Sequence, residues 1–306
     1  PATSGPGEVR IRHRAVGVNY IDVYQRSGIY PVPLPGAPGF EAAGVVEALG
    51  PDVAGLREGQ RVAYMDGPTG SYAEARNLAA DRVVAIPDSL ADDEAAALLF
   101  KGLTAHMLVR RVWRPERGPW VLVHAAAGGV GLILTRWLAR EGAQVIGVVS
   151  DTGKAQMVEA EGAHAVLVVP RGGSYEAVPG EVRRITGGMG LGTAFDSVGL
   201  DTFEASLGSL GPFGLLASYG RSSGAAPAVD LVDLGRRGSL AVQRPSVFHH
   251  IADPGALRAA AAELFQAHAE GKVPVHIHAR LPLKAAAQAH SLLESRATRG
   301  ALILVP

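Results

Sequence analysis

The chain has no cysteine among its 306 residues, which excludes disulfides, a cysteine nucleophile and thiolate-held zinc together. Aromatic residues make up only 6% of it, too few for a platform on which nucleic-acid bases could stack. Neither sign of charge is in excess. Its 29 basic and 29 acidic residues cancel, so nucleic acid and anionic membrane surfaces are not expected partners. No apolar run approaches the roughly 20 residues that span a bilayer, so no membrane insertion is expected. The first residues form neither a basic region nor an apolar signal core, which leaves a cytoplasmic location as the expectation.

What is present is the material of an ordinary globular chain, 47% hydrophobic and 19% charged, with 39 glycines that imply many tight turns. The length allows two domains. In the first hundred residues, short alternating segments at Val9–Val16, Gly44–Leu49, Gly59–Tyr64 and Val83–Pro87 read as strands cut by glycine and proline turns. Ser89–Phe100 reads as a helix, with Ser89 as its cap and acids in its first turn.

From Trp120 the pattern changes. Apolar segments at 120–125, 144–149, 165–169, 193–197, 214–218 and 239–243 alternate with helical stretches, which implies a parallel, doubly wound sheet. A helix at 255–270 and strands near 273–281 and 301–305 should return to the first domain. The expected division is a β-rich domain of residues 1–102 and 245–306 around a dinucleotide-binding domain of residues 103–244.

The most informative segment is Val121-Leu-Val-His-Ala-Ala-Ala-Gly-Gly-Val-Gly131. An apolar run stops at small residues, and Val130, Ile133, Leu134, Trp137 and Leu138 then recur at helical spacing. The strict G-x-G-x-x-G pattern is absent. Ala126, Gly128 and Gly131 occupy its three places, with Gly129 and Val130 between the last two. Such a turn lets a pyrophosphate approach the backbone and the N-terminus of the following helix. The second strand should end at Ser150. A hydroxyl there, with Lys154 one helical turn beyond, suits the 2′-phosphate of NADPH better than NADH, although Asp151 opposes it by charge.

Further stretches carry a resemblance. They are Gly17-Val-Asn-Tyr-Ile-Asp-Val-Tyr-Gln-Arg-Ser-Gly-Ile-Tyr30, Phe100-Lys-Gly-Leu-Thr104, His124–Gly131, Phe195-Asp-Ser-Val-Gly199, Arg244-Pro-Ser246 and Leu293-Glu-Ser-Arg-Ala-Thr-Arg-Gly300. Together they resemble the zinc-free quinone oxidoreductase (zeta-crystallin-like) branch of the medium-chain dehydrogenase/reductase superfamily, above all its bacterial NADPH-dependent members. The resemblance implies a Rossmann-type sheet joined to a GroES-like catalytic domain, and NADPH-dependent, zinc-independent reduction of quinones. In Gly39-Phe-Glu41, Phe40 stands where zinc-dependent relatives carry a histidine, and phenylalanine cannot hold a cation. His276 and His278, and the adjacent His249 and His250, read as solvated pairs rather than ligands.

By the same resemblance Asn19, Tyr24, Tyr30 and Lys101 line the substrate cleft, with Asn19 also orienting the cofactor. Their amide, hydroxyl and ammonium groups suit negative charge arriving on a carbonyl oxygen. Thr104 belongs near the nicotinamide ribose, and Ser218, Tyr219 and Gly220 flank the cofactor. Arg244 and Arg296 are candidates to close over it. Asp22 reads as an internal cap or a partner of Arg26 rather than a proton donor. Where relatives carry a tyrosine near the 2′-phosphate this chain has Val169, with Arg171 as a possible substitute. Relatives open with a β-hairpin before the Pro6-Gly-Glu8 turn, so an early strand is expected to be missing here. They also pair into homodimers through an edge strand, for which Ser239–Gln243 is the candidate. Two other functions fit the same residues: reduction of α,β-unsaturated aldehydes, ketones or enoyl thioesters, and nucleotide binding with little turnover, as in crystallin-like relatives.

Overall fold

The computed structural model describes residues 4–65 and 69–306. In chain order the strands are β1 (Glu8–Val18), β2 (Glu41–Leu49), β3 (Arg61–Met65), β4 (Ala75–Ala79), β5 (Val83–Ala85), β6 (Trp120–His124) and β7 (Gln144–Val149). They continue with β8 (Ala165–Val168), β9 (Leu191–Asp196), β10 (Leu210–Ser218), β11 (Ala241–Gln243), β12 (Ile277–Pro282) and β13 (Ala301–Val305). The first five helices are α1 (Tyr20–Arg26), α2 (Asp92–Met107), α3 (Gly129–Arg140), α4 (Thr152–Ala160) and α5 (Val178–Ile185). The others are α6 (Phe203–Ser209), α7 (Leu231–Arg236), α8 (Val247–His250), α9 (Pro254–Ala269) and α10 (Ala286–Glu294). Two compact units result. One holds residues 1–103, 248–271 and 275–306; the other holds 104–247 with 272–274. None of the helices among the described residues is long and apolar enough to cross a membrane.

The first unit is built on a mixed sheet in the order β12-β13-β1-β2-β3-β5, with β4 pairing β1. The tail does return to it: β13 runs antiparallel to β1, with Val16 opposite Leu304. The alternation of β1 sends Val9 and Ile11 into a core shared with Val46, Val62, Tyr64 and Leu302, and an irregularity between His13 and Ala15 shifts the phase so that Val16 joins it. β4 was not expected. Its sequence Ala-Arg-Asn-Leu-Ala has a single large apolar residue, and only Leu78 is buried, because the strand covers one edge.

The second unit is a parallel sheet in the order β11-β10-β9-β6-β7-β8. This is the doubly wound order, and its switch point lies between β6 and β9. All five residues of β6 are buried, as a strand covered on both faces requires. Trp120, Leu122, Ile146, Ala194 and Leu216 form its core with Val182 and Phe203 from the helices.

Two expected boundaries move. Ser89 does not cap α2. The turn closed by the Leu90 N–H on the Pro87 carbonyl delays the helix to Asp92, and Glu94 caps it by accepting from the Ala91 N–H. The edge strand expected over 239–243 shortens to Ala241–Gln243, because Ser239 takes a left-handed φ of 55° and breaks the extended backbone.

Candidate functional site

The second unit carries the nucleotide-type turn. β6 ends at His124, Ala125 takes a φ of 51°, and α3 starts at Gly129 with Gly128 as its N-cap. Glycine has no side chain to cap a helix, so the positive end of α3 keeps no capping side chain of its own. The N–H groups of Ala126 and Gly128 are spent inside the turn, on the carbonyls of Val148 and Ala125. Gly131 must be glycine: a Cβ there would lie 2.4 Å from the Ala125 oxygen, so the helix could not pack so closely on the turn.

At the end of β7, Lys154 Nζ donates to Ser150 Oγ at 2.9 Å, and the lysine is buried. Asp151 has a local duty. It caps α4 by accepting from the Lys154 N–H at 2.9 Å, and its other oxygen lies 3.8 Å from the Lys154 ammonium. The anion therefore stands where its charge competes with a phosphate for the Lys154 ammonium. Val169 is buried.

The turn after β10 is braced from behind. Arg244 donates to the carbonyls of Ser218 at 2.8 Å and Gly220 at 2.9 Å. Burial raises the Tyr219 hydroxyl pKa above its ordinary value. Beside the switch point lies a cluster that sequence reasoning left without a role. Asp196 accepts from the N–H groups of Val198 and Gly199 and from the hydroxyls of Thr202 and Ser206. Ser206 also meets His124 Nε2 at 3.0 Å. This ties the ends of β6 and β9 together, and burial holds the His124 pKa below its usual range. The recurring hydroxyls after Asp196 were the available signal.

The first unit holds the other group. Asn19 precedes α1, Glu41 opens β2 and Lys101 lies mid-way along α2; all three are buried. Lys101 Nζ donates to Asn19 Oδ1 at 2.9 Å and lies 3.4 Å from Glu41 Oε2. Asn19 Nδ2 donates to that same Glu41 oxygen at 2.9 Å, and the Phe100 N–H donates to the other. Gly17 makes the room, since a Cβ on it would sit 2.1 Å from Glu41 Oε2. Nothing in the local sequence around Glu41 announces this task.

Asp22, one turn into α1, caps the helix by accepting from the Asn19 N–H at 2.9 Å. Arg26 is not its partner but pairs with Glu294 at 2.7 Å. Burial pushes the Asp22 carboxyl up to about 7. The tyrosines of α1 and its exit form a run, with ring centroids 5.4 Å apart for Tyr20 and Tyr24 and 5.2 Å for Tyr24 and Tyr30. The Tyr30 N–H closes this turn on the Tyr24 carbonyl. Phe40 is buried against Phe100 and Phe248 at 6.5 and 5.5 Å between centroids.

Asn19, Tyr24, Tyr30 and Lys101 therefore lie in the first unit, together with Arg296, which has a φ of 55°. Thr104, Ala126–Gly131, Ser150, Lys154, Ser218–Gly220 and Arg244 lie in the second. Among the described residues, no three of His, Cys, Asp or Glu gather as a metal site would require.

Residues 5–88 match the family model for the alcohol dehydrogenase GroES-like domain, and residues 162–304 match that for the zinc-binding dehydrogenase. A quinone oxidoreductase of Pseudomonas aeruginosa is 43% identical, covering 100% of this chain and 93% of that protein. A 2-haloacrylate reductase of a Burkholderia species is 39% identical, covering 99% of this chain and 92% of that one. The crystal structure of Escherichia coli quinone oxidoreductase complexed with NADPH superposes with a TM-score of 0.94 at 41% identity, over 100% of this chain and 94% of that one. Full-length likeness at this level, on a GroES-like unit joined to a doubly wound sheet, establishes that this chain is an oxidoreductase of the quinone oxidoreductase family within the medium-chain dehydrogenases/reductases.

Proposed function

We propose that the protein reduces quinones, or similar electrophilic carbonyl compounds, by hydride transfer from NADPH and without a metal. One observation carries the reading: a buried ammonium, Lys101, is held by Asn19 and balanced by Glu41. A fixed cation held away from water stabilises charge that develops on an acceptor oxygen far better than a solvated one. Tyr24 and Tyr30 offer flat apolar faces and hydroxyls to a planar ring.

The second unit fits the dinucleotide. The uncapped start of α3 suits a pyrophosphate, while the Lys154 ammonium and Ser150 hydroxyl suit a phosphate on the adenosine ribose. Bound there, NADPH would supply the hydride. Arg244 would act indirectly, by fixing the Ser218–Gly220 turn. The likeness to a 2-haloacrylate reductase favours a second reading, reduction of an activated carbon–carbon double bond.

A steady-state panel of quinones, enals and enones with NADPH and NADH separates these. Quinone turnover with NADPH that survives exhaustive chelation is expected. Enal or enone activity about a hundredfold above quinone activity, a difference of about 2.7 kcal/mol in barrier, would establish the second reading. Tight NADPH binding with no acceptor reduced would make the protein a nucleotide binder, and loss of activity that zinc restores would remove the metal-free claim. We further propose a homodimer joined through β11, one of the two edge strands of the parallel sheet among the described residues.

A further inference from the structure

Three residues far apart in the chain meet behind the Asn19–Lys101 group. The Tyr72 hydroxyl lies 3.0 Å from Asp22 Oδ2 and 2.9 Å from His290 Nε2. His290 Nδ1 in turn lies 3.1 Å from Arg26 Nη1, and Arg26 Nη2 donates to Glu294 Oε1 at 2.7 Å. Asp22 and His290 are buried, whereas the Arg26 and Glu294 side chains are 46% and 40% exposed.

The chemistry of these groups gives the line a direction. A guanidinium can only donate, so His290 Nδ1 accepts and the ring proton sits on Nε2. Nε2–H then donates to the Tyr72 oxygen, which leaves the Tyr72 proton for Asp22 Oδ2. Every donor points from the surface toward the buried carboxyl. Asp22 Oδ1 is buried with no hydrogen-bond partner among the described residues, so one carboxyl oxygen is left over from the cap. The other charges facing Asp22 are Lys101 and Glu41, which balance one another.

We propose that His290, Tyr72 and Asp22 form the line by which the reaction draws its proton, with the Arg26–Glu294 pair as its outer gate. This rests on the hydride-transfer reading above, in which each hydride delivered to an acceptor must be matched by one proton. When Arg26 swings off Nδ1, a solvent proton binds there. The Nε2–H bond breaks and its proton passes to the Tyr72 oxygen, while the Tyr72 O–H proton passes to Asp22 Oδ2. His290 and Tyr72 end neutral, and Asp22 is left as the acid. A half-turn of the carboxyl about Cβ–Cγ carries that O–H to the unpaired side, where it gives its proton to the reduced oxygen of the acceptor and returns to the carboxylate. Turns of the imidazole and of the Tyr72 hydroxyl then restore the starting line. Tyr72 and His290 act only through Asp22 and are positioning residues. Burial raises the Asp22 carboxyl and lowers His290, both directions that the assignment requires.

The test follows proton uptake with an indicator dye in weakly buffered single turnovers, alongside loss of nicotinamide absorbance, using a benzoquinone as acceptor. In the parent protein the two should keep step. In Tyr72→Phe, which retains the ring edge-on to His290, uptake should slow at least about tenfold, equivalent to about 1.4 kcal/mol of barrier, with the Kd for NADPH unchanged. Arg26→Gln, at the exposed end and harmless to the core, should speed uptake by unblocking Nδ1. Uptake at the parent rate in both variants would overturn the line. A parent protein that oxidises no NADPH with any acceptor would instead defeat the functional reading beneath it. On the protein alone, the protonated-carboxyl infrared band removed by Asp22→Asn should fade as pH rises through neutrality, and its absence in mildly acid solution would also overturn the proposal.

Discussion

Lys101 and Asn19, 82 residues apart in the chain, meet through a 2.9 Å hydrogen bond from the lysine ammonium to the amide oxygen. The amide's other end donates to Glu41, which also faces the ammonium. Asn19 thus bridges a buried ion pair whose partners stand 3.4 Å apart, and its orientation is fixed because only one flip of the amide satisfies both. An ionised aspartate at this position could accept from Lys101 but could not donate to Glu41.

This arrangement makes the two charges interdependent. Lys101→Met should destabilise the fold by about 3 to 5 kcal/mol, because Glu41 is left ionised and buried without its cation. Glu41→Gln added to Lys101→Met should recover most of that loss by removing the stranded charge, while activity stays abolished. Urea unfolding of the parent and the two variants measures this, and equal stability of the single and double variants would show that the ion pair does not hold the site.

Lys154 is expected to act through charge on a phosphate rather than through packing. Lys154→Ala should raise the KM for NADPH about tenfold or more, equivalent to about 1.4 kcal/mol, and leave NADH nearly untouched. Asp151→Asn should tighten NADPH slightly, since it keeps the cap on the Lys154 N–H and removes an anion 3.8 Å from the ammonium. Equal effects of Lys154→Ala on the two nucleotides would remove the lysine from phosphate recognition.

The second unit was the more legible one because parallel strands buried on both faces read as unbroken apolar runs, as Trp120–Val123 and Val145–Val149 do. The turn at Ala126–Gly131 was legible for a similar local reason, since close packing forces small residues. β4 escaped notice because its edge position asks only Leu78 to be apolar. The polar clusters were harder. Asp22 meets Tyr72 from 50 residues away and Tyr72 meets His290 from 218, so no local spacing announces them. Even for Asp22, whose capping role was visible, the sequence could not show that the carboxyl is buried with one oxygen unpaired.

The edge of the parallel sheet gives a prediction about assembly. β11 pairs β10 on one side and leaves its other side open, with Leu231 and Val232 of the same unit 79% and 58% exposed. Val242→Pro removes a backbone donor from the edge and should shift a dimer toward monomer, without unfolding the six-stranded sheet. Sedimentation analysis at a series of concentrations checks this. A parent protein that stays monomeric throughout would reject the dimer.

Two buried groups of the first unit, Asp22 and His13, titrate in opposition to one another. Burial raises Asp22 from 3.8 to about 7, so between those values the native state binds a proton that the unfolded chain has lost. Stability from this group is full below the lower value and falls as pH rises through the upper one. His13 is lowered by burial from 6.5 to about 4, held between the Ala73 carbonyl and the Tyr64 hydroxyl. Between those values the unfolded chain binds the extra proton, so stability from His13 rises with pH and is lost as pH falls. The two windows overlap almost completely, and in the parent protein the slopes cancel. Relative to the parent, Asp22→Asn should therefore add a rising slope of up to about 1.4 kcal/mol per pH unit across the shared window, and His13→Gln a falling slope of the same size. Urea unfolding at several pH values between the shifted values measures both slopes. Curves parallel to the parent in both variants would mean that neither group changes its proton affinity on folding, and would remove the charge-neutral Asp22 on which the relay depends.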